Sequence, residues 1–104
     1  MPIRKDFPET LSKYSETPVF TQDSVPAKLT SVHDTKPGVW GKLVVLEGEL
    51  DYVVPGTPPA RQRITPANYG VIEPAVPHRV ELIGRVCFKV EFYRDKAGES
   101  SGQK

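Results

Sequence analysis

Eleven prolines are spread along the chain, at positions 2, 8, 18, 26, 37, 55, 58, 59, 66, 74 and 77. Proline removes a backbone donor and clashes with the preceding turn, so it breaks a helix wherever it falls inside one. The longest gap before Pro77 is the 17 residues 38–54. That gap and the stretch after Pro77 alternate apolar and polar side chains with a period of two instead of repeating at 3.6. Short strands joined by turns follow from this spacing, which makes the chain all-β, a sandwich or small barrel.

The alternation locates the strands. Residues 14–20 contribute an edge strand through Tyr14, Val19 and Phe20. Residues 27–34 alternate, with Ala27, Leu29, Ser31 and His33 on one face and Lys28, Thr30, Val32 and Asp34 on the other. Lys42 to Leu46 and Glu49 to Val54 read as a hairpin about Glu47-Gly48, because glycine accepts a positive φ without steric cost. Pro55-Gly56-Thr57-Pro58-Pro59 is a loop. Arg61 to Thr65 and Tyr69 to Glu73 are shorter strands on either side of Pro66-Ala67-Asn68. His78 to Ile83 and Arg85 to Arg94 form a second hairpin about Gly84. In its second arm Val86, Phe88, Val90 and Phe92 share the inward face, with Cys87, Lys89, Glu91 and Tyr93 outward. Residues 1–94 form one domain, of the size a single core supports. The tail 95–104 has only Ala97 to bury and is read as disordered.

Composition narrows the function classes. Fourteen Lys and Arg against 13 Asp and Glu leave a formal charge of +1, which offers no electrostatic footprint for nucleic acid. One cysteine makes neither an internal disulfide nor a Cys-based zinc finger. The N-terminus lacks the apolar core of a signal peptide, and the longest aliphatic run, Leu43 to Leu46, is far below the roughly 20 residues that span a bilayer. A soluble cytoplasmic domain without membrane or nucleic-acid partners is the expectation.

The chain has two histidines, His33 and His78. Glu81 follows His78 by three residues. Two imidazoles and a carboxylate are a ligand set for zinc, iron, manganese or nickel, leaving coordination positions open for water or substrate. In a regular strand His78 and Glu81 point to opposite faces, so they converge only across a bulge. Asp34 faces away from His33 unless the strand has already ended. Cys87, between Val86 and Phe88, has no base beside it in sequence and reads as packing. No Gly-rich phosphate loop or Ser-His-Asp order signal is present.

Several stretches carry a resemblance. Val39-Trp40-Gly41-Lys42-Leu43-Val44-Val45-Leu46-Glu47-Gly48-Glu49-Leu50 looks like the end of the first cupin motif. Glu73-Pro74-Ala75-Val76-Pro77-His78 resembles the second, with its proline-rich turn and ligand histidine. More narrowly, the stretch from His33 through Thr35-Lys36-Pro37-Gly38 to Trp40-Gly41-Lys42-Leu43, with Pro77-His78-Arg79-Val80-Glu81 and the ending Val90-Glu91-Phe92-Tyr93, resembles a small cupin family. Its members occur alone or fused to the N-terminus of tellurite-resistance methyltransferases of the protein B type. The likeness covers roughly residues 14–94.

The resemblance implies a cupin-like double-stranded β-helix, a small antiparallel barrel with its ligand pocket inside. It places His33 and His78 at metal-ligand positions, joined by Glu81, with Glu91 as an alternative carboxylate. Lys36, Trp40 and Arg79 would line the approach, with Glu91 in the same pocket. The chain departs from the general motif, which has His-x-His followed by Glu: Thr35 stands at the second position and Gly41 near the Glu position. The implied function is binding of a divalent metal, and through it a small anionic molecule, with a link to stress or tellurite and oxyanion response. Two alternatives stand beside it: an iron-dependent dioxygenase of a thiol or other small molecule, and a metal-free homodimeric module that binds an organic ligand or pairs through its edge strand. Methyl transfer is not implied, because no Gly-rich cofactor loop is present.

Overall fold

The computed structural model describes Ile3 and residues 6–95. In chain order the elements are β1 (Leu11–Glu16), β2 (Phe20–Thr21), α1 (Ala27–Thr30), β3 (Trp40–Val54), β4 (Ala60–Ile64), β5 (Gly70–Ile72) and β6 (Arg79–Asp95). The expectation of an all-β chain holds, since the only helix among the described residues is one turn long. The tail expected over 95–104 lies outside the described residues, except for Asp95, which ends β6.

Two long antiparallel strands carry the architecture. β3 pairs with β6 along nearly its whole length, from Trp40↔Tyr93 to Val53↔Arg79. β1 and β2 line the outer edge of the C-terminal half of β6. On the other edge of β3, β5 pairs with its first half and β4 with its second.

Both hairpins expected from the sequence are corrected here. Glu47-Gly48 and Gly84 lie inside continuous strands, where the register shifts at two bulges. The pairing Val45↔Phe88 is followed by Glu47↔Cys87, so Leu46 is the extra residue on β3. The pairing Gly48↔Val86 is followed by Glu49↔Ile83, so Gly84 and Arg85 are extra on β6. One extra residue reverses the inward parity of β3, from Leu43 and Val45 to Leu50, Tyr52 and Val54. Two extra residues preserve it on β6, where Val80, Val86, Phe88 and Val90 all face in. Gly48 is required at this point: its φ is +79°, and a Cβ there would sit 2.2 Å from the Arg85 carbonyl oxygen. Gly84 also has a positive φ, but a Cβ would meet open space. Glycine therefore bends these strands, whereas a local reading assigns it to a turn.

The bends let both halves of each long strand share one core. Leu43, Leu50, Tyr52, Ile64, Val86 and Phe88 are at most 2% exposed within it. Full burial of such side chains contributes roughly 1.5–3 kcal/mol apiece, the largest favourable contribution in a domain of this size. The inward set read from the alternation of β6 is correct for Val86, Phe88 and Val90, while Phe92 packs at the margin.

Residues 27–34 are a second correction. The expected strand is the single turn α1 followed by an isolated bridge at His33. Pro26 precedes the turn with φ −65°, and the Leu29 amide bonds back to its carbonyl at 3.0 Å. Thr30 and Ser31 hydroxyls each donate to the Ala27 carbonyl at 3.1 Å. These local bonds compete with a ladder and win over the two-residue alternation.

Candidate functional site

His33 and His78 are 45 residues apart in sequence and adjacent in space. The chain segments cross as a two-bond bridge: the His33 amide donates to the His78 carbonyl at 2.9 Å, and the His78 amide to the His33 carbonyl at 2.8 Å. Their rings meet edge to face, with centroids 4.3 Å apart. Thr35 ties the loop after His33 to the loop before His78. Its carbonyl accepts from the Ala75 amide at 3.1 Å, and its hydroxyl donates to the carbonyl of Val39 at 3.1 Å. Ala75 holds a positive φ of 58°, a conformation uncommon for a residue with a Cβ, in the loop that delivers His78.

The hydrogen bonds fix the tautomers. Nδ1 of His78 lies 2.8 Å from the Val76 carbonyl and Nδ1 of His33 lies 3.0 Å from the Ser31 carbonyl. A carbonyl only accepts, so each Nδ1 carries the proton and each neutral ring keeps its lone pair on Nε2. His78 is 1% exposed, and burial lowers its pKa from the ordinary histidine value, with the neighbouring His33 adding to the effect. The buried ring therefore stays neutral and keeps its lone pair in the physiological range. Tyr52 packs on its core side, with ring centroids 5.4 Å apart.

Both imidazoles line a cavity of about 350 Å³. Lys28, Asp34, Thr35 and Lys36 surround its polar end, and Leu29, Val39, Leu43, Ile72, Phe88 and Phe92 form much of its apolar wall. Asp34 reaches the same cavity as His33 because the extended segment ends at the bridge, the condition stated for it in the sequence.

The remaining sequence candidates separate. Lys36 lines the cavity. Glu81 does not join the histidines. Its carboxylate accepts from Arg61 at 2.7 and 3.2 Å and pairs with Arg79 at 2.6 Å. Arg61 first, and Arg79 with it, hold its pKa at about 2. β6 pairs without a register shift from Arg79 to Ile83, so His78 and Glu81 keep the opposite faces of a regular strand. Arg79 is committed to Glu81. Glu91 is on the outward face of β6, paired with Lys89 at 3.2 Å and Lys13 at 3.6 Å. Trp40 packs edge-on to Phe7, with centroids 6.1 Å apart. Sequence reasoning passed over Lys28 as a site residue, since the local bonds that form α1 are hidden by the alternation. It weighed Asp34 only on the condition that the strand had ended, and named Thr35 only as a departure from the motif.

Among the described residues, no group of three or more His, Cys, Asp or Glu side chains is placed to hold a metal ion. The donor set that the structure offers is the imidazole pair.

Comparison with known proteins places this chain in a family. The model of the TehB-like domain matches residues 15–90, most of the chain. The chain belongs to the TehB-like domain family. Two curated relatives from Haemophilus influenzae, strains Rd and 10810, are each named as a probable S-adenosyl-L-methionine-dependent methyltransferase TehB. They are 34% and 33% identical over 95 residues, covering 80% of this chain and 33% of each relative. This TehB-like chain thus spans about a third of the length of the curated relatives it matches. The crystal structure of TehB from Haemophilus influenzae superposes with a TM-score of 0.79 at 34% identity, covering 89% of this chain and 34% of that one. A crystal structure of a protein from Escherichia coli strain K12 superposes with a TM-score of 0.80 at 22% identity, covering 86% of this chain and 96% of that one. At that identity the likeness speaks to the fold alone, and it extends to nearly the whole of the other chain.

Proposed function

We propose that this TehB-like domain is a cupin-like small-molecule binding module whose cavity is centred on His33 and His78, with a divalent metal ion held exchangeably by the imidazole pair. The observation that carries this reading is the pairing of the two histidines on one cavity. Both line it, their ring centroids are 4.3 Å apart, and each Nδ1 is committed to a backbone carbonyl, which leaves Nε2 as the nitrogen with a lone pair to offer. Imidazole nitrogen suits zinc, iron, manganese and nickel. The backbone carbonyls play the orienting part that partners of metal-bound histidines ordinarily play.

The fit is partial, and this shapes the proposal. Resident catalytic ions generally have three protein ligands, while the described residues group two. The pair therefore suits an ion whose remaining positions are filled by water or a small ligand. It favours binding over the dioxygenase reading, which asks for a third protein ligand. Methyl transfer is named for relatives about three times as long, and no step of it is assigned to this chain. The association with tellurite-resistance proteins supports a role in handling small toxic or stress-related molecules, and binding is the part of that role these residues can perform.

Equilibrium dialysis of tag-free protein against zinc, manganese, nickel and ferrous iron tests the reading. About one ion per chain is expected, lost in the His33→Ala/His78→Ala double variant. Equal metal content in both proteins overturns it.

A further inference from the structure

The cavity wall and its rim ask for different things of a ligand. Leu29, Val39, Leu43, Ile72, Phe88 and Phe92 offer hydrocarbon contact through the depth of the cavity. An inorganic oxyanion set against such a wall would lose hydration on that side without replacing its hydrogen bonds, which opposes its binding. The rim carries Lys28 and Lys36 against the single carboxylate of Asp34. Among the described residues neither lysine makes an ion pair, whereas Lys13 and Lys89 on the outer face are both engaged by carboxylates. A volume of about 350 Å³ is at the lower end of ligand pockets, roughly 300–1,000 Å³, which suits one small molecule and excludes a dinucleotide.

We infer that the cavity takes a small organic carboxylate, with its apolar body against Leu43, Ile72 and Phe88 and its carboxylate toward Lys28 and Lys36, in preference to an inorganic oxyanion. This rests on the reading of the cavity as the binding site, and it names the ligand class. The hydrocarbon body supplies affinity by leaving water. The lysines supply the preference for the charged head over a neutral one.

Calorimetric titration of the full chain with propanoate, butanoate, pentanoate and hexanoate tests this, alongside hexanamide, sulfate and tellurite. Each titration is run on zinc-loaded and on chelator-treated protein. Affinity should rise by up to about fourfold per added methylene until the cavity is full. Hexanoate should exceed hexanamide by about tenfold, and Lys28→Ala/Lys36→Ala should erase that preference. Sulfate and tellurite should bind more weakly than hexanoate. A flat chain-length series, oxyanions binding as tightly as hexanoate, or no binding of any carboxylate overturns the inference. The two readings fail separately. A rising series, together with a zinc content that the His33→Ala/His78→Ala variant keeps at the wild-type level, supports the carboxylate and removes the metal anchor. Zinc held by the histidines with a flat series does the reverse.

Discussion

Two clusters of ionisable side chains lie on opposite faces of the same sheet, and they differ in what they leave unbonded. On the outer face Asp51, nearly buried, accepts from Arg63 at 2.6 Å and from Arg61 at 3.1 Å. Arg61 continues to Glu81, and Arg63 to Glu49 at 3.3 Å. Each charge in this array finds an opposite charge within it. On the inner face the two imidazoles bond to backbone carbonyls through Nδ1 and retain Nε2. The outer array holds strands together, since Arg61 and Arg63 on β4 reach β3 and β6. The inner pair has bonding capacity left for a ligand. Charge alone therefore does not tell the two clusters apart; what separates them is the bonding capacity each leaves over.

The contrast can be broken by substitutions that separate stability from binding. The largest effect on stability is expected from Asp51→Ala, which removes two charge-assisted hydrogen bonds from a nearly buried carboxylate. A loss of about 2 kcal/mol is expected, because such bonds contribute roughly 1.5–3 kcal/mol each when buried and the arginines here are half exposed. Urea denaturation measures it. Metal uptake by the folded variant should stay at the wild-type level, and a loss of uptake would join the two clusters that the structure separates.

Acid titration of stability sharpens the same contrast, with an intermediate effect. The His78 pKa is depressed in the folded state, so below the ordinary value of 6.5 the unfolded chain binds a proton that the folded chain resists. Stability should fall as pH drops below 6.5 and stop falling once the folded imidazole itself protonates. Glu81 is depressed from 4.5 to about 2, so its contribution is fully present above pH 4.5 and is lost as pH falls toward 2. Urea midpoints measured from pH 8 to 2 should show two descending regions. His78→Gln should flatten the upper one and Glu81→Gln the lower. If Glu81→Gln flattened the region near pH 6, the assignment would be wrong.

The smallest effect is expected at the margin of the outer array. Glu49 and Arg63 have side chains 42% and 50% exposed, and water screens their attraction. Glu49→Gln should shift stability by less than about 0.5 kcal/mol in the same assay. A larger loss would show the array acting as one unit instead of a chain of pairs.

Much of the fold was legible in the sequence, though unevenly. The period-two alternation of Val86, Phe88 and Val90 is a statement about one strand and one face, and the structure keeps it. The glycines were harder. Gly48 and Gly84 signal positive φ, which a hairpin turn and a bulge satisfy equally well, and the local sequence does not separate them. Residues 27–31 show the opposite weakness: hydroxyls bonding back to the Ala27 carbonyl form a helical turn beneath an alternating pattern. Of the residues put forward from residue type and resemblance, His33, His78 and Lys36 line one cavity. Glu81 was chosen by its nearness to His78 in sequence, but Arg61, 20 residues away, holds its carboxylate.

By itself the sequence determined that this chain folds as strands, because eleven prolines exclude long helices and the apolar side chains repeat at two residues. It also limited the site to at most two imidazoles. Only the tertiary structure decided that those imidazoles meet, through a backbone bridge across 45 residues, and that Glu81 is held away from them. The physical reason is that both outcomes are long-range. The bridge pairs two segments distant in sequence, and Arg61 on a separate strand holds the Glu81 carboxylate on the outer face.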